Sequence, residues 1–314
     1  MTPAVRAGFE HPGLLYDSHA AYLTCTTGFV RDAVAAGEPV LVAVPPPKLG
    51  LLRSALADVA AEVTFADITV DGRNPGWLLP GVLLPFSSAH HGRRISVIGE
   101  PVWPGRGRLE YLACAAHEAL VNAAFAGREA AILCPYDTGA LPRDRVSDAW
   151  RTHPVMIVDG TRRASPWYDD PYRTAGTFNR PLPPVPPTAA TIGFGHAETL
   201  SAVRRFVAAH AVDAGLTTDR VDDLLIAVNE LAENTVTHTA GDGVVSLWTE
   251  TGRLVCQVDD HGHLADPMAG RIPPPLDAES GRGLIMTNRL CDLVRVHTRP
   301  GATSIRLHMT LTEE

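Results

Sequence analysis

Cysteine is scarce and unorganised in this 314-residue chain: Cys25, Cys114, Cys134, Cys256 and Cys291 are odd in number and never spaced C-x-x-C. That excludes a disulfide-stapled framework and leads us to expect reduced, mostly buried thiols in a cytoplasmic protein. No apolar run reaches the ~20 residues that span a bilayer. The first residues lack the basic-then-apolar order of a signal peptide, so no membrane association is expected. Basic residues are not in excess. With 27 Lys+Arg against 35 Asp+Glu, the net charge of -8 argues against a nucleic-acid-binding surface. No internal repeat is apparent. There is also no G-x-x-x-x-G-K-[ST] phosphate loop. After the strand expected to end at Val44 stands Pro45-Pro46-Pro47-Lys48, and prolines offer phosphate no N–H.

What is present is ordinary globular composition, 45% hydrophobic and 20% charged, at a length that accommodates two domains. Up to about residue 160, short β-branched runs (39–44, 62–65, 94–98 and 130–134) alternate with Ala-rich helical stretches (22–36, 49–61 and 109–125). Such alternation predicts a mostly parallel sheet with helices on both sides. Residues 161–189, rich in proline, are expected to be a linker.

The second half carries the chemistry. Val221, Leu224, Leu225, Val228 and Leu231 recur at helical spacing, with Thr217 or Thr218 as a cap. Glu230, Asn234 and His238 are four apart and form one polar row on that helix. An amide oxygen is a fit ligand for magnesium, and a carboxylate one turn earlier can deprotonate a hydroxyl. The spacing alone proves nothing, because Glu118 and Asn122 repeat it without the motifs that follow here. Strands at 243–248 and 253–258 lead to Asp260-His261-Gly262, where a carboxylate can accept from an exocyclic amine. A Pro-rich stretch follows, expected as a mobile cover from Asp266 to Ser280. Gly281-Arg282-Gly283-Leu284 then opens a helix, where backbone N–H groups can meet phosphate.

Glu230-x-x-x-Asn234 with His238, Asp260-x-Gly262 and Gly281-Arg282-Gly283-Leu284 resemble the N, G1 and G2 boxes of the GHKL ATPase superfamily. The resemblance covers about residues 190–314 and lies with the serine-kinase branch that acts as anti-sigma factors. It implies an α+β sandwich, ATP and Mg2+ as ligands, Asn234 as the metal ligand, Glu230 as general base and Asp260 as the adenine anchor. It further implies phosphate contacts at Gly281 and Gly283, and a STAS-type anti-anti-sigma protein or a sigma factor as partner. His263-Leu264 departs from the family's usual pair after the G1 glycine. Dimers are common in that family, though no heptad seam in this sequence demonstrates one. A histidine kinase is disfavoured, since Arg180-Pro181-Leu182-Pro183-Pro184 leaves no room for a dimerising hairpin upstream. An ATP-dependent switch that sequesters a partner without phosphotransfer stays open.

In the first half, polar residues at strand ends and in an apolar helix have plain structural explanations, and no catalysis is indicated. His11-Pro12-Gly13-Leu14-Leu15-Tyr16, Gly99-Glu100-Pro101-Val102-Trp103-Pro104, His117-Glu118, Cys134-Pro135-Tyr136-Asp137 and His153-Pro154 resemble the MEDS sensory domain. That resemblance implies a RecA-like or Rossmann-like α/β module without a working phosphate loop, sensing a small organic ligand. His11, Tyr16, Glu100, His117 and Tyr136 are the candidates for its site.

Overall fold

A computed structural model describes residues 8–239, 241–275, 277–278 and 280–311. The chain divides into two units. The first runs to Arg73 and from Gly81 to Phe178; the second takes Asn74–Pro80 and runs on from Asn179.

In the first unit the runs at 40–44 and 130–134 are apolar along their whole length, which suits strands of a sheet covered on both faces, while those at 62–65 and 94–98 carry polar residues among the β-branched ones. The elements are β1 (Phe9–Glu10), β2 (Pro12–Tyr16), α1 (His19–Ala35), β3 (Val40–Val44), α2 (Pro46–Ala55), β4 (Val63–Asp67), α3 (Ile68–Asp71) and α4 (Leu84–Ala89). They continue with β5 (Ile95–Gly99), α5 (Arg108–Ala124), β6 (Ala130–Asp137), α6 (Arg143–Thr152), β7 (Val155–Val158), β8 (Thr161–Ala164) and α7 (Pro171–Gly176). The sheet order is β4-β3-β5-β6-β2-β7-β8, with β1 also on β6. Every pairing is parallel except β7 with β8. All five residues of β3 and of β5 are buried. The helix expected over 49–61 starts earlier, at Pro46, where proline suits the first turn, and ends at Ala55.

Residues 161–178, expected within the linker, are built into this unit. Thr161–Ala164 pairs antiparallel with β7, and α7 packs on α5 with Thr174 and Ala175 buried. Asp170 caps α7 by accepting from the Arg173 N–H. The rest of that stretch lies along the second unit: Asn179 bonds the Thr298 carbonyl and the Pro183 carbonyl accepts from Arg306.

The second unit holds β9 (Ala190–Phe194), α8 (Leu200–Asp213), α9 (Thr218–His238), β10 (Gly243–Glu250), β11 (Arg253–Asp260), α10 (Gly283–Leu290), β12 (Leu293–Arg299) and β13 (Ala302–Thr310). Its sheet is antiparallel throughout, in the order β12-β13-β11-β10-β9. Val221, Leu224, Val228 and Leu231 of α9 join the core formed with α8 and the sheet. Each such fully buried side chain contributes roughly 1.5–3 kcal/mol. Thr217 does stand at the start of α9, but its side chain makes no capping hydrogen bond. Among the described residues no helix is long and apolar enough to cross a membrane, and none of the five cysteines is in a disulfide, four of them being buried.

Candidate functional site

Along α9 the core stripe fixes which residues look away from it. Leu231, Ala232 and Thr235 are buried, and the row Glu230, Asn234 and His238 falls on the adjoining face. That face borders a cavity of about 440 Å³. Asn234, His238, Asp260, Gly262, Gly281, Gly283 and Leu284 line it, with apolar walls from Leu231, Val258, Met268, Ile272 and Ile305. Seven of the nine residues singled out in this half of the sequence therefore meet around one space.

Glu230 and Arg282 do not line it. Glu230 instead lies against the glycine loop: a β-carbon at Gly283 would come within 2.6 Å of its Oε2 and 3.4 Å of Asn234 Nδ2. A side chain at position 283 would therefore displace the Glu230 carboxylate. Burial, then the neighbouring Glu233, raises the Glu230 carboxyl above its ordinary value. Arg282 turns outward, its guanidinium donating to the carbonyls of Ala278 (2.5 Å) and Pro275 (3.1 Å). Gly281 sits at φ +94°, a conformation that favours glycine. Among the described residues no side chain caps the start of α10, which leaves its first N–H groups to other partners. Part of the expected cover is tied down, because Asn288 Nδ2 donates to the Gly270 carbonyl at 3.1 Å. Leu276 and Glu279, also within that segment, lie outside the described residues.

At the other end of the cavity Asp260 closes β11. Its Oδ2 accepts from Thr235 Oγ1 at 2.8 Å and its Oδ1 from the Gly262 N–H at 2.7 Å. Thr303 faces it across the sheet in register and passes a hydrogen bond to the Gly262 carbonyl at 3.2 Å. Thr235 and Thr303 were missed in the sequence. The first stands directly after Asn234, and the second is recognisable only once β13 is known to pair with β11.

Four of the five candidates of the first unit separate into two pairs at opposite ends of β2. Tyr16 and Glu100, at the ends of β2 and β5, both accept from the Lys48 ammonium, so the lysine after the proline run is an ion-pair partner. Burial outweighs Lys48 and lifts the Glu100 carboxyl to about 7. His11 and Tyr136 meet around Glu118 instead, with Cys134, His153 and Asn122. Burial, then His153, pushes His11 down to about 3. Burial pushes Glu118 up, but His153, His11 and His117 outweigh it and hold the carboxyl at about 2. His117 is buried next in sequence to Glu118 on α5 and falls in neither group.

Residues 10–154 match the model of the MEthanogen/methylotroph, DcmR Sensory domain (MEDS), and residues 195–309 that of the histidine kinase-like ATPase domain. No curated protein matches the chain. Among solved structures, the chain is similar to the RsbU and RsbW domains of Rv1364c from Mycobacterium tuberculosis, at 20% identity and a TM-score of 0.32. The match covers 41% of this chain and 34% of that one, so the chain spans about a third of that structure's length. The chain carries an N-terminal MEDS domain followed by a histidine kinase-like ATPase domain.

Proposed function

We propose that the second unit is a GHKL-type sandwich that binds ATP with magnesium and acts as a serine/threonine protein kinase of the anti-sigma-factor type. In this reading residues 1–160, extended by β8 and α7 to Phe178, are a RecA-like or Rossmann-like sensory domain for a small organic ligand. The partner is a STAS-type anti-anti-sigma protein or a sigma factor, and the setting is cytoplasmic. The observation that carries the reading is one cavity bounded by Asn234, Asp260 and the Gly281–Gly283 loop.

The residues fit these ligands. A cavity of about 440 Å³ falls within the range of small-molecule sites. Asp260, oriented by Thr235, can accept from an adenine amine. The uncapped start of α10 suits phosphate. Magnesium wants few hard oxygen ligands from protein, and the Asn234 amide supplies one. When bound, that ion neutralises charge on the phosphates. Glu230 takes the proton of the partner's Ser or Thr hydroxyl as its oxygen bonds the γ-phosphorus; the bond to the β–γ bridging oxygen breaks and ADP leaves.

A second reading is favoured by Glu230 lying off the cavity wall. In it, ATP acts only as a switch for holding a partner. To separate the two, the chain and Glu230→Gln are each incubated with ATP, magnesium and a STAS-type protein, and phosphate on the latter is read by mass spectrometry. The kinase reading expects transfer by the parent chain, slowed on the order of 100-fold or more in Glu230→Gln with ATP binding retained. Equal rates would remove Glu230 as base. ATP binding without any transfer would leave the switch.

A further inference from the structure

Inside the first unit, four side chains from four distant segments converge. His11 stands just before β2, Glu118 on α5, Cys134 on β6, and His153 directly follows α6. All four are buried, and one nitrogen, sulfur or oxygen atom from each lies within 4.8 Å of the others. His11 Nε2 is 3.3 Å from Cys134 Sγ and 3.8 Å from Glu118 Oε2. Cys134 Sγ is 3.7 Å from Glu118 Oε1, and His153 Nε2 is 2.9 Å from Glu118 Oε2. Around an ion with bonds of ~2.0–2.3 Å, the edges of a ligand tetrahedron are about 3.3–3.8 Å. Three of the four separations fall in that range.

The surrounding hydrogen bonds fix the histidine tautomers. Asn122 Nδ2 faces only carbonyls, those of Thr152, Ala119 and Glu118 at 2.8, 3.1 and 3.3 Å. Its Oδ1 therefore accepts, so His11 Nδ1, at 3.1 Å, is the donor. His153 Nδ1 is 2.8 Å from the Ala149 carbonyl and is likewise the donor. As neutral imidazoles, both rings then aim an Nε2 lone pair at the Glu118 carboxylate and the Cys134 sulfur. Only the Cys134 thiol and the Tyr136 hydroxyl, 3.1 Å from Glu118 Oε2, remain as donors. His153 Nε2 makes no hydrogen bond among the described residues, although the carboxylate is 2.9 Å away. Lone pairs facing one another in a dry interior are costly, and a cation between them removes the cost.

We propose that His11, Glu118, Cys134 and His153 form a buried four-coordinate site for a divalent metal ion, zinc above all, which clasps β2, α5, β6 and the end of α6. Two imidazoles, one thiolate and one carboxylate are a donor set zinc takes in tetrahedral sites. Histidines whose second nitrogen donates to an amide or backbone carbonyl are the usual orientation of metal ligands. On binding, Cys134 gives its proton to solvent and becomes the thiolate. Asn122 holds His11 in place without touching the ion. The site is independent of the nucleotide cavity.

The test uses the full chain, stripped with a chelator and titrated with zinc alone, with bound metal measured by elemental analysis. The expected result is about one zinc per chain. Cys134→Ser and His153→Gln should weaken binding at least ~10-fold, Asn122→Ala by about 10–100-fold, and the exposed His91→Ala not at all. Titration of the unmutated chain with cobalt should add a sulfur-to-cobalt absorption band in the near ultraviolet and tetrahedral bands in the visible. This readout stands even where a variant does not fold. A folded parent chain that takes up no zinc and shows no cobalt bands overturns the proposal. So does binding unchanged in both Cys134→Ser and His153→Gln.

Discussion

Thr235 holds Asp260: its hydroxyl lies 2.8 Å from Oδ2, joining the second residue of the Asn234-Thr235 pair to the carboxylate that closes β11. The two are 25 residues apart in sequence and meet only because α9 lies on β11. Thr235 is fully buried, and its hydroxyl has one other acceptor within reach, the Leu231 carbonyl at 3.1 Å.

Thr235→Val keeps the shape and removes the donor. A hydrogen bond to a charged group contributes about 1.5–3 kcal/mol, less where the acceptor is partly exposed, as Asp260 is. ATP affinity should fall five- to thirtyfold, the equivalent of about 1–2 kcal/mol, with the fold intact by circular dichroism. Calorimetry on the two proteins checks this; equal affinity would show that Asp260 needs no support from α9.

Glu100 makes the first unit sensitive to pH. Burial raises its folded-state value from 4.5 to about 7. A carboxyl that holds its proton more tightly when folded contributes stability fully present below 4.5. That contribution is lost as pH rises through about 7. The parent chain should therefore lose melting temperature between pH 4.5 and 7 relative to Glu100→Gln. Parallel melting curves across that window would show that Lys48 keeps Glu100 ionised throughout.

His308 on β13 is 1% exposed, and neither ring nitrogen finds a hydrogen-bond partner among the described residues. Burial, then Arg253, Arg295 and Arg306, lowers it to about 3. Its stabilising contribution is present above its ordinary value of 6.5 and lost as pH falls toward 3. His308→Leu removes two unsatisfied groups and should stabilise the chain by about 1–3 kcal/mol, with the gain largest at acidic pH. A lower melting temperature in chemical or thermal unfolding would mean that the imidazole has partners in solution.

The fold class and the strands of the first half were legible because fully buried parallel strands read as unbroken apolar runs, as Val40–Val44 does. The end of α2 and the fate of residues 161–178 were not. Proline and polar residues mark loops by composition, but Pro171 opens α7, where the first helical turn tolerates it. In the second half, the row Glu230, Asn234 and His238 was legible from spacing of four, and Gly281 from its place before a helix. Thr303 was hidden because its role depends on the register Asp260↔Thr303, which pairs two strands distant in sequence. The spacing Glu118 to Asn122, set aside as uninformative, places both side chains on the buried face of α5 among His11 and His153. Helical periodicity shows which residues share a face, and only packing shows what that face meets.

The most direct measurement is ATP binding to the chain and to Asn234→Ala, with and without magnesium, by calorimetry. The account predicts magnesium-dependent binding by the parent chain and its loss in Asn234→Ala. Affinity unchanged by the substitution, or no binding by the folded parent chain, would contradict it.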